Sequence, residues 1–162
     1  MLAMEGLKEQ AMKLFEEAYK YHMLGDLDKA IELYRKSIDV YPTAEAWTFL
    51  GWAYSMRGNY EGAIEACKRA IEIDPDFGNP YNDIGSYLIE LGKLDEAIEW
   101  LEKAKRAKRY EPRHYPYINL AKVYMLQGKL YEALREIEEA IKIKPDYKPS
   151  HMLRHQILGM LN

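Results

Sequence analysis

Residues 44–77 read AEAWTFLGWAYSMRGNYEGAIEACKRAIEIDPDF, and their layout decides the fold. Trp47, Leu50, Gly51 and Tyr54 recur at the three- and four-residue intervals that place side chains on one face of an α-helix. Gly58 interrupts that series, Ala63 and Cys67 begin another four residues apart, and Pro75 ends it. Glycine accepts the left-handed backbone that closes a helix, whereas proline lacks an N–H and restrains the residue before it. The stretch therefore predicts a helix, a tight turn, a second helix and a stop.

The same layout recurs on both sides. Gly25, Gly58, Gly92 and Gly128 are spaced by 33, 34 and 36 residues, and Ala30, Ala63, Ala97 and Ala133 repeat those intervals. The turns read Gly-Asp-Leu-Asp-Lys-Ala at 25–30, Gly-Asn-Tyr-Glu-Gly-Ala at 58–63, Gly-Lys-Leu-Asp-Glu-Ala at 92–97 and Gly-Lys-Leu-Tyr-Glu-Ala at 128–133. Polar residues after each glycine, Asp28 and Asp95 among them, suit the start of the next helix. Pro42, Pro75 and Pro145 stop the second helix of three copies.

This pattern resembles the tetratricopeptide repeat family, whose motif runs Trp-x2-Leu-Gly-x2-Tyr, then Ala-x3-Phe, then Pro. Residues 44–77 depart from it only by placing Cys67 where Phe is usual. Residues 78–113 keep Tyr81, Ile84, Gly85, Leu88, Ala97 and Leu101, with Arg109 in the Pro position and two extra residues. Residues 114–147 keep Tyr117, Leu120, Ala121, Tyr124, Ala133 and Pro145. Residues 11–43 diverge most, with polar Glu17 where Leu is usual, as suits a terminal repeat with a wet outer side. The resemblance implies an all-α, right-handed α–α superhelix of four helix-turn-helix repeats within a single domain, 1–162.

Small residues at Ala18, Gly51, Gly85 and Ala121 fit opposite large ones such as Tyr34 and Leu101, allowing two helices to pack closely. Each pair leaves an apolar side that only the next pair can cover, so the array needs polar ends. Residues 148–162 supply a capping helix, with Pro149 in its first turn and Leu153, Ile157, Leu158 and Leu161 at helical spacing. Nine helices are expected.

Composition agrees with helix: Ala, Glu, Lys, Leu and Arg make 75 of 162 residues, and 30% of the chain is charged. Tyrosine supplies 14 of the 20 aromatics, so the fold must seat many half-polar rings. A net charge of −3 exerts no overall pull toward nucleic acid or acidic membranes, and no apolar run is long enough to span a bilayer. Cys67 is alone, the first ten residues lack a signal-peptide core, and a cytoplasmic setting is expected. Lys and Glu supply 33 residues against six Ser and Thr, a thermophile-like balance.

Catalytic motifs are absent: there is no phosphate-binding glycine loop, paired zinc-ligand Cys motif or Gly-x-Ser-x-Gly elbow. His151 and His155 share a helix face, but Met-Leu-Arg stands between them and no third ligand is evident. Cys67 occupies a core position and reads as a small buried hydrophobe. The basic run of Lys103, Lys105, Arg106, Lys108 and Arg109 complements a helix C-terminus, and Glu99, Glu102 and Glu111 dilute its field. No catalytic group, cofactor, metal or nucleic-acid partner is therefore expected.

What remains is surface. The resemblance implies that the first helix of each repeat lines a concave groove holding a peptide or helix of a partner protein. The positions this assigns include Phe15, Tyr19, His22 and Met23 in repeat one, and Thr48, Trp52 and Met56 in repeat two. Asn79, Asn82 and Ser86 follow in repeat three, and Ile118, Lys122 and Met125 in repeat four. The first half is aromatic and Met-rich, suited to gripping apolar side chains; the alternative is that these rings pack together or beneath residues 1–10. The family's carboxylate clamp does not carry over, because its positions hold Phe15, Tyr19, Phe49, Asn79 and Asp83. A second functional alternative is self-assembly into a homo-oligomer through apolar residues near the ends, Leu2, Leu7, Met152, Leu158, Met160 and Leu161. At the lengthened junction, the second helix of repeat three is expected to run to Lys108 or Arg109, and helix to resume near Pro116. Between them, Arg109, Tyr110, Arg113, His114 and Tyr115 form either an ordered binding protrusion or a merely accommodated insertion.

Overall fold

Nine helices account for almost the whole chain in the computed structural model, which describes residues 1–162. They are α1 (Leu2–Met23), α2 (Leu27–Val40), α3 (Ala44–Met56), α4 (Tyr60–Ile73), α5 (Asn79–Glu90), α6 (Leu94–Arg106), α7 (His114–Leu126), α8 (Leu130–Ile143) and α9 (Lys148–Leu161). Each turn glycine has the left-handed backbone its position demands, with φ between 75° and 84° at Gly25, Gly58, Gly92 and Gly128. Asp26, Thr43 and Asn59 cap α2, α3 and α4 by accepting from the N–H groups of Lys29, Ala46 and Gly62. Asp28 and Asp95 lie in the first turns of α2 and α6, where a negative charge opposes the helix dipole favourably.

Packing follows the small residues. Ala18 shares a buried cluster with Tyr34, and Gly85 approaches Leu101 so closely that a methyl group would collide with the leucine side chain. Gly51 leaves room for the Ala63 carbonyl oxygen and Cys67 Sγ, which would lie 2.9 and 3.2 Å from an added Cβ. The pairs α1–α2, α3–α4, α5–α6 and α7–α8 stack in chain order, and α9 closes the last cluster with Leu153 and Ile157. Among the odd-numbered helices, α3 touches α5 and α5 touches α7. The even-numbered helices approach one another less closely, α6 and α8 being joined by the Lys105–Glu136 ion pair, so the odd helices form the inner side of the curve.

One alternative and one expectation are corrected by the structure. Residues 2–10 continue α1 as exposed helix, so they form no separate segment folded over the groove rings. At the junction α6 stops at Arg106, short of Lys108 or Arg109, and α7 begins at His114, two residues before Pro116. The physical reason is backbone pairing across repeats. Arg109 N–H donates to the Asp76 carbonyl oxygen at 2.9 Å, and Gly78 N–H to that of Arg109 at 3.0 Å, drawing the chain out of helix without a proline.

The loop that follows is docked and does not protrude. Arg113 donates to the carbonyl oxygens of Lys105 and Ala107, satisfying the end of α6, while Tyr110 and His114 are buried. Only Arg109 and Tyr115 of the five candidate residues are exposed, and Arg109 is tied to Asp74 and Glu45.

Gly85 tests the close-approach argument. Gly85→Ala should cost about 1–3 kcal/mol through collision with buried Leu101. Adding Leu101→Ala should cost less than the sum of the two single changes, because each relieves the other. Urea unfolding followed by circular dichroism measures both.

Candidate functional site

The inner face divides into three seams between successive odd-numbered helices, and one repeat position marks each seam. Phe49, Asp83 and Asn119 all stand immediately before the large residue that precedes or occupies the small-residue contact, at intervals of 34 and 36 residues.

At the α1–α3 seam, Phe49 lies against Phe15, Tyr19 and Trp52, with ring centroids 5.1, 5.9 and 5.9 Å apart. Beneath them His22 is buried. Its Nε2–H donates to Met56 Sδ at 3.1 Å, since a thioether only accepts, which leaves Nδ1 to accept from the Tyr34 hydroxyl at 2.9 Å. That arrangement is the neutral imidazole, and burial pushes its pKa below the ordinary value. Trp52 rests on the His22 ring at 4.3 Å. Next to this strip, Met12, Phe15, Tyr41, Thr43 and Glu45 help line a recess of about 360 Å³.

The α5–α7 seam is polar: Asn119 Nδ2 donates to Asn82 Oδ1 at 3.0 Å. Between these two seams stands Asp83. Its carboxylate is partly buried, accepts no hydrogen bond and makes no ion pair, although its oxygens keep some access to solvent. Its electrostatic neighbours are the Cys67 thiol and the phenols of Tyr87 and Tyr110, none of them cationic. Burial pushes the Asp83 carboxyl up to about 7.

The residues assigned to the groove from sequence thus separate into two sets. Tyr19, Met23, Trp52, Met56 and Lys122 are exposed, and Phe15, Asn79, Ser86 and Met125 are half-buried. His22, Thr48, Asn82 and Ile118 are buried, which corrects their assignment to the open surface. Each lies where the neighbouring repeat covers it; Thr48 Oγ1 donates to the Ala44 carbonyl oxygen at 2.7 Å. Sequence reasoning left Phe49 and Asp83 out of the groove. Their signal was the repeat register, which aligns them with Asn119.

Elsewhere, His151 donates to the Pro145 carbonyl oxygen at 2.7 Å and His155 is exposed. Cys67 is buried with its pKa raised by burial, the state of an inert thiol. No helix is long and apolar enough to cross a membrane.

The Asp83 environment has a pH signature. Its folded-state pKa lies above the ordinary 3.8, so the folded protein holds the proton more tightly and loses stability as pH rises from about 4 to about 7. Asp83→Asn should therefore match the parent near pH 4 and exceed it above pH 7 by about 1–3 kcal/mol, the usual cost of an unpartnered polar group. Thermal melts across that range measure the difference.

Comparison with known proteins places this geometry in a wider group. The description "Tetratricopeptide repeat" matches residues 20–43, 44–77, 66–99 and 114–147. "Small glutamine-rich tetratricopeptide repeat-containing protein 2" of Mycosarcoma maydis is 34% identical over 95 residues, covering 58% of this chain and 27% of that protein. The chain spans between 9 and 27% of the length of the first curated relatives it matches. A structure described as "Functional Characterization of Pseudomonas Aeruginosa pilF" superposes with a TM-score of 0.88 at 20% identity, covering 96% of this chain and 70% of that one. The crystal structure of MamA gives 0.73 at 26% identity, over 86 and 81% of the two chains. With the repeat register, the helix pairs and these matches in agreement, the chain belongs to the tetratricopeptide repeat family.

Proposed function

We propose that the protein is a non-enzymatic interaction scaffold whose concave face holds a peptide or short helix of a partner protein, with apolar side chains gripped at the α1–α3 end. One observation carries this reading. Met12, Tyr19, Met23, Trp52 and Met56 are each between 37 and 54% exposed on two adjoining helices of the inner curve. Large apolar groups clustered in water gain free energy when covered, rings supply area at little entropic cost, and thioethers reshape around varied partners. Tetratricopeptide repeat proteins as a family are protein-interaction scaffolds, which supports the same conclusion. Asn79, Ser86 and Lys122 then offer polar contacts further along the groove.

Peptides selected from a random display library on the immobilised full chain provide the test. With 13C-methyl methionine labelling, their addition should shift the methyl signals of Met12, Met23 and Met56 and leave Met152 and Met160 in place. Tyr19→Ser with Met23→Ser should weaken binding about tenfold or more while leaving the helical spectrum unchanged. Recovery of no binding peptide, or shifts confined to Met152 and Met160, would overturn the groove.

A second reading, self-association through the ends, is favoured by the exposure of Leu2 at 90% and Met152 at 72%. Sedimentation over a concentration series distinguishes it: association that Leu2→Ser or Met152→Ser abolishes supports this reading, and a monomer at every concentration removes it.

A further inference from the structure

The middle seam of the concave face holds a charged group for which the protein supplies no partner. Repeat symmetry gives its surroundings. Phe49 sits against Phe15 and Tyr19 of the preceding odd-numbered helix, and Asn119 bonds to Asn82 of its own preceding one. Asp83 occupies the same position on α5, so it faces α3 at the stretch of Thr48 and Trp52, the equivalents of Phe15 and Tyr19. Its influence on Tyr87, which Ser55 of α3 adjoins, agrees with that location.

No cation of the chain neutralises it. Arg57 is paired with Asp28, Arg109 with Asp74 and Glu45, and Lys105 with Glu102 and Glu136. Lys122 is exposed on α7 without an ion pair, and no bond reaches Asp83 from it. Nor does the fold require an acid here, because repeat two fills the equivalent position with Phe49. An unpaired carboxylate among aromatic walls is costly, and its solvent-accessible oxygens make it available to a group from outside.

We propose that Asp83 receives the cationic side chain, Lys or Arg, of a peptide lying across the groove, three residues from an apolar side chain seated on Phe15, Tyr19 and Phe49. The spacing follows from the scaffold. Packed helices stand about 8–10 Å apart, so successive seams are about that far from each other. A polyproline-II chain advances about 9 Å in three residues and returns its side chains to the same face at that interval. A partner chain crossing the seams in order therefore meets an apolar strip, then a lone carboxylate, then the Asn82–Asn119 amide pair. Charge complementarity selects a basic residue for the middle site, and the low-dielectric walls strengthen its attraction to the carboxylate.

The inference rests on the groove reading above, and the experiment separates the two. A random peptide library is panned near neutral pH on the full chain and, in parallel, on the Asp83→Asn variant. The parent pool should be enriched in Lys or Arg three positions from a bulky apolar residue, and the variant pool should lack that enrichment. A synthetic peptide from the parent pool should bind Asp83→Asn about tenfold more weakly. Replacing its basic residue by Met should cost as much in the parent and little more in the variant, as a double-mutant cycle requires. A parent pool without basic enrichment, or equal affinity for both proteins, overturns the role of Asp83 while leaving the groove in place. Peptides that bind without shifting the Met12, Met23 and Met56 methyl signals overturn both readings.

Discussion

The close approach of paired helices at Ala18, Gly51, Gly85 and Ala121 is the constraint on which the remaining architecture depends. Where the first helix presents a methyl group or less, the second can bring Tyr34, Cys67, Leu101 or Ile137 into the gap and bury it. Each close pair still leaves apolar side chains on its flanks. Only another pair can cover those flanks, which converts a local steric allowance into a one-dimensional stack. Ends that lack a neighbour need another solution, and α9 supplies it by packing Leu153 and Ile157 against α7 and α8.

Stacking also generates the concave face. Because α3 meets α5 and α5 meets α7 more closely than the even-numbered helices meet one another, the odd helices crowd toward the inner curve. Their side chains partition between the seams, where the next helix covers them, and the open strip between seams. The chemistry of each seam is set by one position in the repeat, and the series Phe49, Asp83, Asn119 grades the face from aromatic through acidic to amide. Such a face is directional along the curve, with a fixed order of chemistry from α1 to α7.

The fold was legible in the sequence because stereochemistry imposes it at a few positions that tolerate no alternative. A left-handed turn calls for glycine at 25, 58, 92 and 128, and those four residues, with the alanines five positions after each, carry the period. The groove was legible only in part. His22, Thr48, Asn82 and Ile118 lie on the correct side of their own helices but are buried by the following repeat. Periodicity within one helix gives a direction and says nothing of what arrives there from another. The junction failed for a related reason. The lengthened spacing allowed either a protrusion or an accommodated insertion, and the backbone pairing of Arg109 with Asp76 and Gly78, and the capping of α6 by Arg113, which decide between them, are contacts that local sequence cannot display.

How the exposed rings are held bears on how well they can bind. Trp52 rests on His22, whose two nitrogens are engaged by Tyr34 and Met56, and Phe15 is fixed by Tyr34 and Phe49. A buried neutral imidazole thus sets the floor of the aromatic strip from beneath. Side chains held in this way surrender little rotational freedom when a partner covers them, which lowers the entropic cost of association. Met12 and Met23 carry no such hydrogen bond, and their three-bond chains remain free to adjust. The strip therefore combines a fixed aromatic base with an adaptable thioether margin, an arrangement that can seat apolar side chains of different shape without rebuilding the helices that carry it.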